Sequence, residues 1–180
     1  MIRAFLALPV PETLVHTLSV AQHRLPLSRP VPEENFHLTL VFLDSQPEPL
    51  LEELHYAIEG LTLTAPSLRI DGLGTFGGND PDALYARVAP DPALSALQAK
   101  LAQTARRIGI TVKARKFVPH ITLARFRKGE MQPDTLASAI GKLGPLTSPP
   151  WTPPELVLMR STLRADGPVY DPLARYPFRF

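Results

Sequence analysis

A chain of 180 residues, 44% of them hydrophobic, can bury the core of one compact domain or of two small halves that share an interface. No window approaches the ~18 uninterrupted apolar residues of a membrane span, the opening MIRAFLALPVPE lacks the apolar run and cleavage site of a signal peptide, and the absence of cysteine excludes disulfides and thiolate metal sites; a cytoplasmic protein with no membrane partner is expected. The net charge of +2 conceals a split: residues 92–129 hold nine Lys/Arg and no acid, against ten basic and seventeen acidic residues elsewhere, which points to one surface for an anionic partner or to a merely solvated basic face.

Along the chain, strand and helix alternate. Residues 2–8 read as a strand, and Pro11 opens a helix with Leu14, Leu18, Ala21 and Leu25 on one face. His16 and His23 fall on its opposite face and should be solvated. A polar loop (28–35) leads to a strand over 36–43. Ser45 and Pro47 start a second helix, with Leu50, Leu54 and Ile58 inward, His55 at the edge of that face and Gly60 as its stop. Residues 67–73 alternate as a strand, and GTFGGNDPD (74–82) reads as a turn-rich connection. The order then recurs. LYARVA (84–89) is a strand, and Asp91 caps a helix starting at Pro92 that turns Leu94, Leu97, Leu101, Ala105 and Ile108 inward. A basic loop or short strand (110–116) precedes the strand HITLARF (120–126). Pro133 opens a helix ended by Gly144, and a proline-rich linker leads to a strand over 155–163 and a hairpin turned at 165–167.

The two halves keep step. Pro11 lies 26 residues before His37, and Pro92 lies 28 before His120. This is a diverged duplication, each half reading strand–helix–strand–helix–strand. It predicts an α+β, bilobal protein with pseudo-twofold symmetry and a central cleft between antiparallel sheets. The 180 residues form one such domain, with lobes over 1–78 and 79–180 that can exchange terminal strands.

His37-Leu38-Thr39-Leu40 and His120-Ile121-Thr122-Leu123 stand at matched places in the halves. Residues i and i+2 of a strand share a face, so each strand offers an imidazole and a hydroxyl about 6–7 Å apart. Two such strands facing each other suit attack on a phosphodiester. A neutral His takes a proton from the nucleophile and a protonated His gives one to the leaving oxygen. The Thr hydroxyls hydrogen-bond the non-bridging oxygens, and basic residues offset the charge that builds there. Two buried histidines bonded to neighbouring threonines would be the structural alternative. Spacing alone leaves open which His is acid and which base. Only two His converge, and no His-x₃-His or cysteine spacing and no phosphate-binding glycine loop occurs, so neither metal nor cofactor is expected and joining chemistry should not need ATP.

These residues resemble the two-histidine phosphoesterases, more narrowly the RNA 2′,3′-cyclic phosphodiesterases also called 2′-5′ RNA ligases. The resemblance runs through FLALPVPE, Pro32–Phe36 leading into HLTL, Gly72–Phe76, Ala83–Ala86, Phe117–Arg125, and Ser161–Leu163 before Tyr170. It implies that water opens an RNA 2′,3′-cyclic phosphate to a 2′-phosphate, with His37 as proton donor to the 3′ oxygen and His120 as proton acceptor. It also implies that some members join or cleave 2′-5′ linkages in transfer-RNA halves. Arg125 matches a phosphate-contacting arginine. Strand parity sets it on the wrong face unless the strand ends, bulges or twists after Leu123. Lys113, Arg115 and Lys116 are candidates to track an RNA backbone. Tyr85 is a candidate base-stacking residue, while Phe36 and Phe117 are expected in the core. A monomer acting on RNA ends is expected. Competing readings are a phosphodiesterase for a small cyclic nucleotide or ADP-ribose cyclic phosphate, and a non-catalytic RNA-binding module.

Overall fold

The computed structural model describes residues 1–179. Its elements run β1 (Ile2–Pro9), α1 (Glu12–His23), β2 (His37–Gln46), α2 (Glu48–Glu59), β3 (Ile70–Phe76), β4 (Ala83–Val88), α3 (Pro92–Arg107), β5 (His120–Arg125), α4 (Pro133–Leu143), β6 (Glu155–Arg164) and β7 (Gly167–Pro177). The class is α+β, with seven antiparallel strands in the order β3-β4-β5-β2-β1-β6-β7. β3, from the first half of the sequence, pairs with β4 of the second, while β6 from the second pairs with β1.

Instead of two separate sheets there is one, and it is joined by a thin seam. β2 and β5 share a single paired position, Leu38 with Ile121. The reason lies in what takes the rest of the β5 edge. The segment 29–31 lies against it: Val31 N donates to Leu123 O at 2.8 Å, Arg125 N donates to Arg29 O at 3.3 Å, and Pro30 bridges Ala124. Past the seam the two strands therefore part.

The apolar stripes of the helices cover one face. Leu14, Leu18 and Ala21 of α1, Leu51, Leu54 and Ile58 of α2, and Leu94, Leu97, Leu101 and Ala105 of α3 are buried. All of these but Ala21 pack with Leu6, Leu8, Leu38, Leu40, Ile121 and Leu123 in one large core. A smaller cluster joins Leu25, Leu84, Phe126 and Leu136. Phe36 is buried and Phe117 packs against the main core. His16 and His23 are exposed. The Asp91 carboxylate accepts from Leu94 N at 2.7 Å, an N-cap contact that fixes the start of α3.

Two boundaries and one buried position differ from the sequence expectation. Ser45 continues β2, and helical residues begin only at Glu48. In the first turn of α2 it is Leu51, not Leu50, that joins Leu54 and Ile58 in the core, and Leu50 is half-buried. Residues 74–76, read as turn, belong to β3. The glycines there serve the sheet: a Cβ on Gly74 would lie 2.5 Å from the Tyr85 ring, so only glycine allows that ring to cross β3. Among the described residues no helix is long and apolar enough to cross a membrane.

Candidate active site

The seam places the twin motifs side by side. Pairing of Leu38 with Ile121 sets His37 beside Thr122 and Thr39 beside His120, because adjacent antiparallel strands run in opposite senses. Leu38, Leu40, Ile121 and Leu123 point into the core, each no more than 4% exposed. His37, Thr39, His120 and Thr122 turn to the other face, where all four line one cleft of about 640 Å³.

The main chain sets both imidazoles in the same orientation. His37 Nδ1 lies 2.7 Å from the Asn35 carbonyl, and His120 Nδ1 lies 2.6 Å from the Val118 carbonyl. A carbonyl can only accept, so each Nδ1 carries the hydrogen, and each Nε2 is left as the group that exchanges a proton. The Thr39 hydroxyl lies 2.8 Å from His37 Nε2 and donates to it when that ring is neutral.

Each ring is also packed by aromatics. Phe5 and Tyr170 stand 4.9 and 5.1 Å from His37 between ring centroids. Phe76 and Tyr85 stand 5.0 and 5.2 Å from His120. This packing disfavours the charged imidazoles. Burial pushes His37 down to about 4, against the raising effect of the Asn35 carbonyl and with further depression by His120 and Arg125. Burial likewise lowers His120, against the Val118 carbonyl, with Arg125 lowering it further. Burial raises the Tyr170 phenol, opposed by the Arg125 and Arg3 charges.

Arg125 reaches the cleft because β5 bulges. Thr122 pairs with Tyr85 and Ala124 with Leu84, leaving Leu123 as an extra residue. Leu123 and Ala124 are therefore both buried, and Arg125 returns to the face of His120 and Thr122, lining the cleft. The buried Gln22 of α1 donates to the bulge carbonyl of Leu123 at 2.7 Å and to Val31 O at 2.9 Å. β2 repeats the device. Ala7 pairs with Thr39 and Leu6 with Val41, so Leu40 is the extra residue, and Gln98 of α3 donates to its carbonyl at 3.4 Å.

Two groups of expected binding residues lie elsewhere. Tyr85 is only 9% exposed and does not line the cleft; its ring is covered by Phe76 at 4.3 Å, so it supports His120 and has no free face for a base. Lys113, Arg115 and Lys116 are exposed in the loop before β5, outside the cleft lining, and Lys113 pairs with Asp44 at 3.2 Å across the cleft edge. The cleft draws its remaining positive charge from Arg3, Arg29, Arg127 and Arg164. Sequence reasoning missed these four, which come from separate stretches of chain, and the two orienting carbonyls. The latter had a signal, since each lies two residues before its histidine. Among the described residues no three His, Asp or Glu gather as a metal-holding group.

Comparison with known proteins follows the same lines. A family model described as the 2′-5′ RNA ligase superfamily matches residues 10–164. The RNA 2′,3′-cyclic phosphodiesterase of Geobacillus stearothermophilus is 32% identical over 182 residues, covering 96% of this chain and 56% of that protein, so the chain spans little more than half of that relative. The RNA 2′,3′-cyclic phosphodiesterase of Methanothermobacter thermautotrophicus is 32% identical over 181 residues, covering 94% of this chain and 95% of the relative. Among solved structures, a Thermus thermophilus protein superposes with a TM-score of 0.82 at 28% identity over 98% of both chains. E. coli LigT in its apo form shares the fold, with a TM-score of 0.77 at 23% identity over 98% of this chain and 97% of that one. A match that takes in both His-x-Thr-Leu strands and the segments that orient them makes this chain a member of the 2′-5′ RNA ligase superfamily.

Proposed function

We propose that the chain is an RNA 2′,3′-cyclic phosphodiesterase, the activity for which the relatives above are named. The observation that carries this reading is the pair of imidazoles on adjoining strands, each with Nδ1 held by a main-chain carbonyl and Nε2 left for proton exchange. The phosphate sits between them. Water attacks phosphorus as His120 Nε2 takes its proton, the bond to the 3′ oxygen breaks, and His37 gives that oxygen a proton. The products are a 2′-phosphomonoester and a free 3′ hydroxyl. Thr39 and Thr122 hydrogen-bond the non-bridging oxygens, and Arg125 offsets the charge that develops on them. With a ribose hydroxyl in place of water, the same steps make a 2′-5′ linkage.

The donor and acceptor roles follow the family resemblance; pseudo-symmetry makes the two histidines equivalent in the absence of substrate. One chain supplies both imidazoles, both hydroxyls and Arg125, so a monomer suffices. The substrates are RNA ends in the cytoplasm, transfer-RNA halves among them. A polymer is favoured over a small cyclic phosphate because Arg3, Arg29, Arg127 and Arg164 line the cleft beyond the reacting groups. The test is wild type against His37→Ala and His120→Ala on an oligonucleotide ending in a 2′,3′-cyclic phosphate, with the position of the product phosphate determined. Each variant should lose roughly 10²–10⁴-fold in rate, the product should carry a 2′-phosphate, and EDTA should leave the wild-type rate unchanged. Unchanged rates in the histidine variants would overturn the reading.

A further inference from the structure

Asn35 stands two residues before the first motif histidine, and Val118 stands two before the second. Both main-chain carbonyls accept from a histidine Nδ1, and the likeness ends there. Asn35 is buried, and its side-chain Nδ2 donates to the Pro168 carbonyl at 2.9 Å, 133 residues along the chain. A valine side chain has no donor, so His120 has no such tie. The partner of Asn35 belongs to an arm that little else holds. β6 pairs with β1 only from Val157 to Arg160. Beyond Arg160, β6 and β7 pair with each other alone, from Ser161 with Tyr170 to Arg164 with Gly167. A two-stranded ribbon is marginal on its own. This one nonetheless lies along the cleft, with Ser161, Arg164, Pro168 and Tyr170 in the lining. Among the described residues, the Asn35 amide makes the one hydrogen bond between residues 161–170 and the rest of the chain. The other anchor is Tyr170, whose ring centroid stands 5.1 Å from that of His37 and 5.0 Å from that of Phe5.

We propose that Asn35 is a positioning residue that ties the docking of the β6–β7 arm to the orientation of His37. It rests on the reading of His37 as a group that exchanges a proton with substrate. The Asn35 carbonyl aims the ring, and the amide of the same residue holds down the arm whose Tyr170 covers that ring. With the amide bond made, His37 keeps one tautomer, one orientation and little water around it. With the bond gone, the arm lifts, Tyr170 leaves the ring and water reaches it. The charged and titratable groups that face His37 are His120 and Arg125 of β5 and Tyr170 of β7. His120, held by the Val118 carbonyl alone, is the internal reference.

Histidine-ring NMR tests this without relying on turnover, with the His37 signal assigned through His37→Asn. Asn35→Ala and Asn35→Leu both remove the donor without adding charge, and leucine keeps the shape of the side chain. In each, the His37 titration should rise by about one pH unit or more as the ring gains water, and His120 should move less. Turnover of an oligonucleotide ending in a 2′,3′-cyclic phosphate should fall roughly tenfold or more in kcat, as misplacing a reacting group does. Inorganic phosphate should bind as in wild type. A third measurement needs no variant: in wild type one Asn35 amide proton should exchange with solvent about tenfold or more slowly than those of the exposed Asn79. Exchange as fast as at Asn79, or an unchanged His37 titration and kcat in either folded variant, would overturn the tie. Equal movement of His37 and His120 would mark a general loosening and overturn it as well. If the wild type opened no cyclic phosphate while the His37-specific shift persisted, the proposed activity would fall and the tie would stand.

Discussion

Acid should destabilise the protein through His37. The folded ring titrates at about 4 against 6.5 for an ordinary histidine, chiefly because it is buried. Between those two values the unfolded chain binds the proton that the folded chain refuses, so stability falls as the pH is lowered through that window. Above 6.5 neither state is protonated there and the effect vanishes; below about 4 both are protonated and the loss levels off. At 1.36 kcal/mol per pH unit the full interval gives an upper bound of roughly 3 kcal/mol. Water at the cleft mouth relaxes around a charged ring, so about 2 kcal/mol is the expected loss. Urea denaturation of wild type and His37→Asn from pH 8 to pH 3.5 reads it. The variant should gain about 2 kcal/mol relative to wild type between pH 7 and pH 4. His120 is lowered for the same reason and should add a loss of the same sign. Stability curves that run parallel at all pH values would refute the assignment of a buried, neutral His37.

Three further outcomes separate the parts of the site. Arg125→Ala should lower kcat/KM for a cyclic phosphate by about 10²–10³-fold, with Arg125→Lys recovering only part, since an ammonium lacks the planar fork. The same change should raise the apparent pKa values of both histidines, because Arg125 lowers both, and the acidic limb of the rate profile should move to higher pH. Gly74→Ala should drive the Tyr85 ring off its seat against His120, lowering kcat while KM and the circular dichroism spectrum stay near wild type; an unchanged kcat would deny Tyr85 any positioning role. Replacing Arg29 and Arg127 by Gln should flatten the salt dependence of RNA binding by about 0.7 in log–log slope per arginine, while the triple change of Lys113, Arg115 and Lys116 to Gln should leave it unaltered. The opposite pattern would return the RNA path to the 113–116 loop.

What the sequence made legible was local and periodic. The Leu/Ile alternation around each His-x-Thr pair put the imidazoles and hydroxyls on one face, and the cleft contains all four. The capped start of α3 was legible because Asp-Pro before an apolar repeat has one ordinary use. The strand parity of Arg125 was a true difficulty, and its answer lies in residues far from it in sequence. Gln22 and the 29–31 segment take the carbonyl and edge of β5 at the bulge, and nothing in HITLARF announces that support. Tyr85 misled for a related reason. Its type and position suit stacking on a base, but β3 brings Phe76 over its ring through a gap that only Gly74 leaves. The arginines of the cleft were illegible because β1, the 28–35 loop, the end of β5 and the β6–β7 hairpin meet only in the folded sheet.

A symmetric pair of histidines must still divide into one acid and one base. In the free cleft both rings are held neutral, and His120 and Arg125 each oppose protonation of His37. A proton on His120 therefore makes a proton on His37 harder to add, which favours a singly protonated pair. A bound phosphodiester brings a single negative charge, which offsets Arg125 and favours that one proton. The bound state is thus one imidazolium and one imidazole, the combination that acid–base cleavage requires. The proton is free to settle on either ring, so direction must come from the substrate's pose. The cleft itself is not symmetric in charge, since Arg125 of β5 stands where β2 carries Phe42, and that difference is what a substrate's pose has to read.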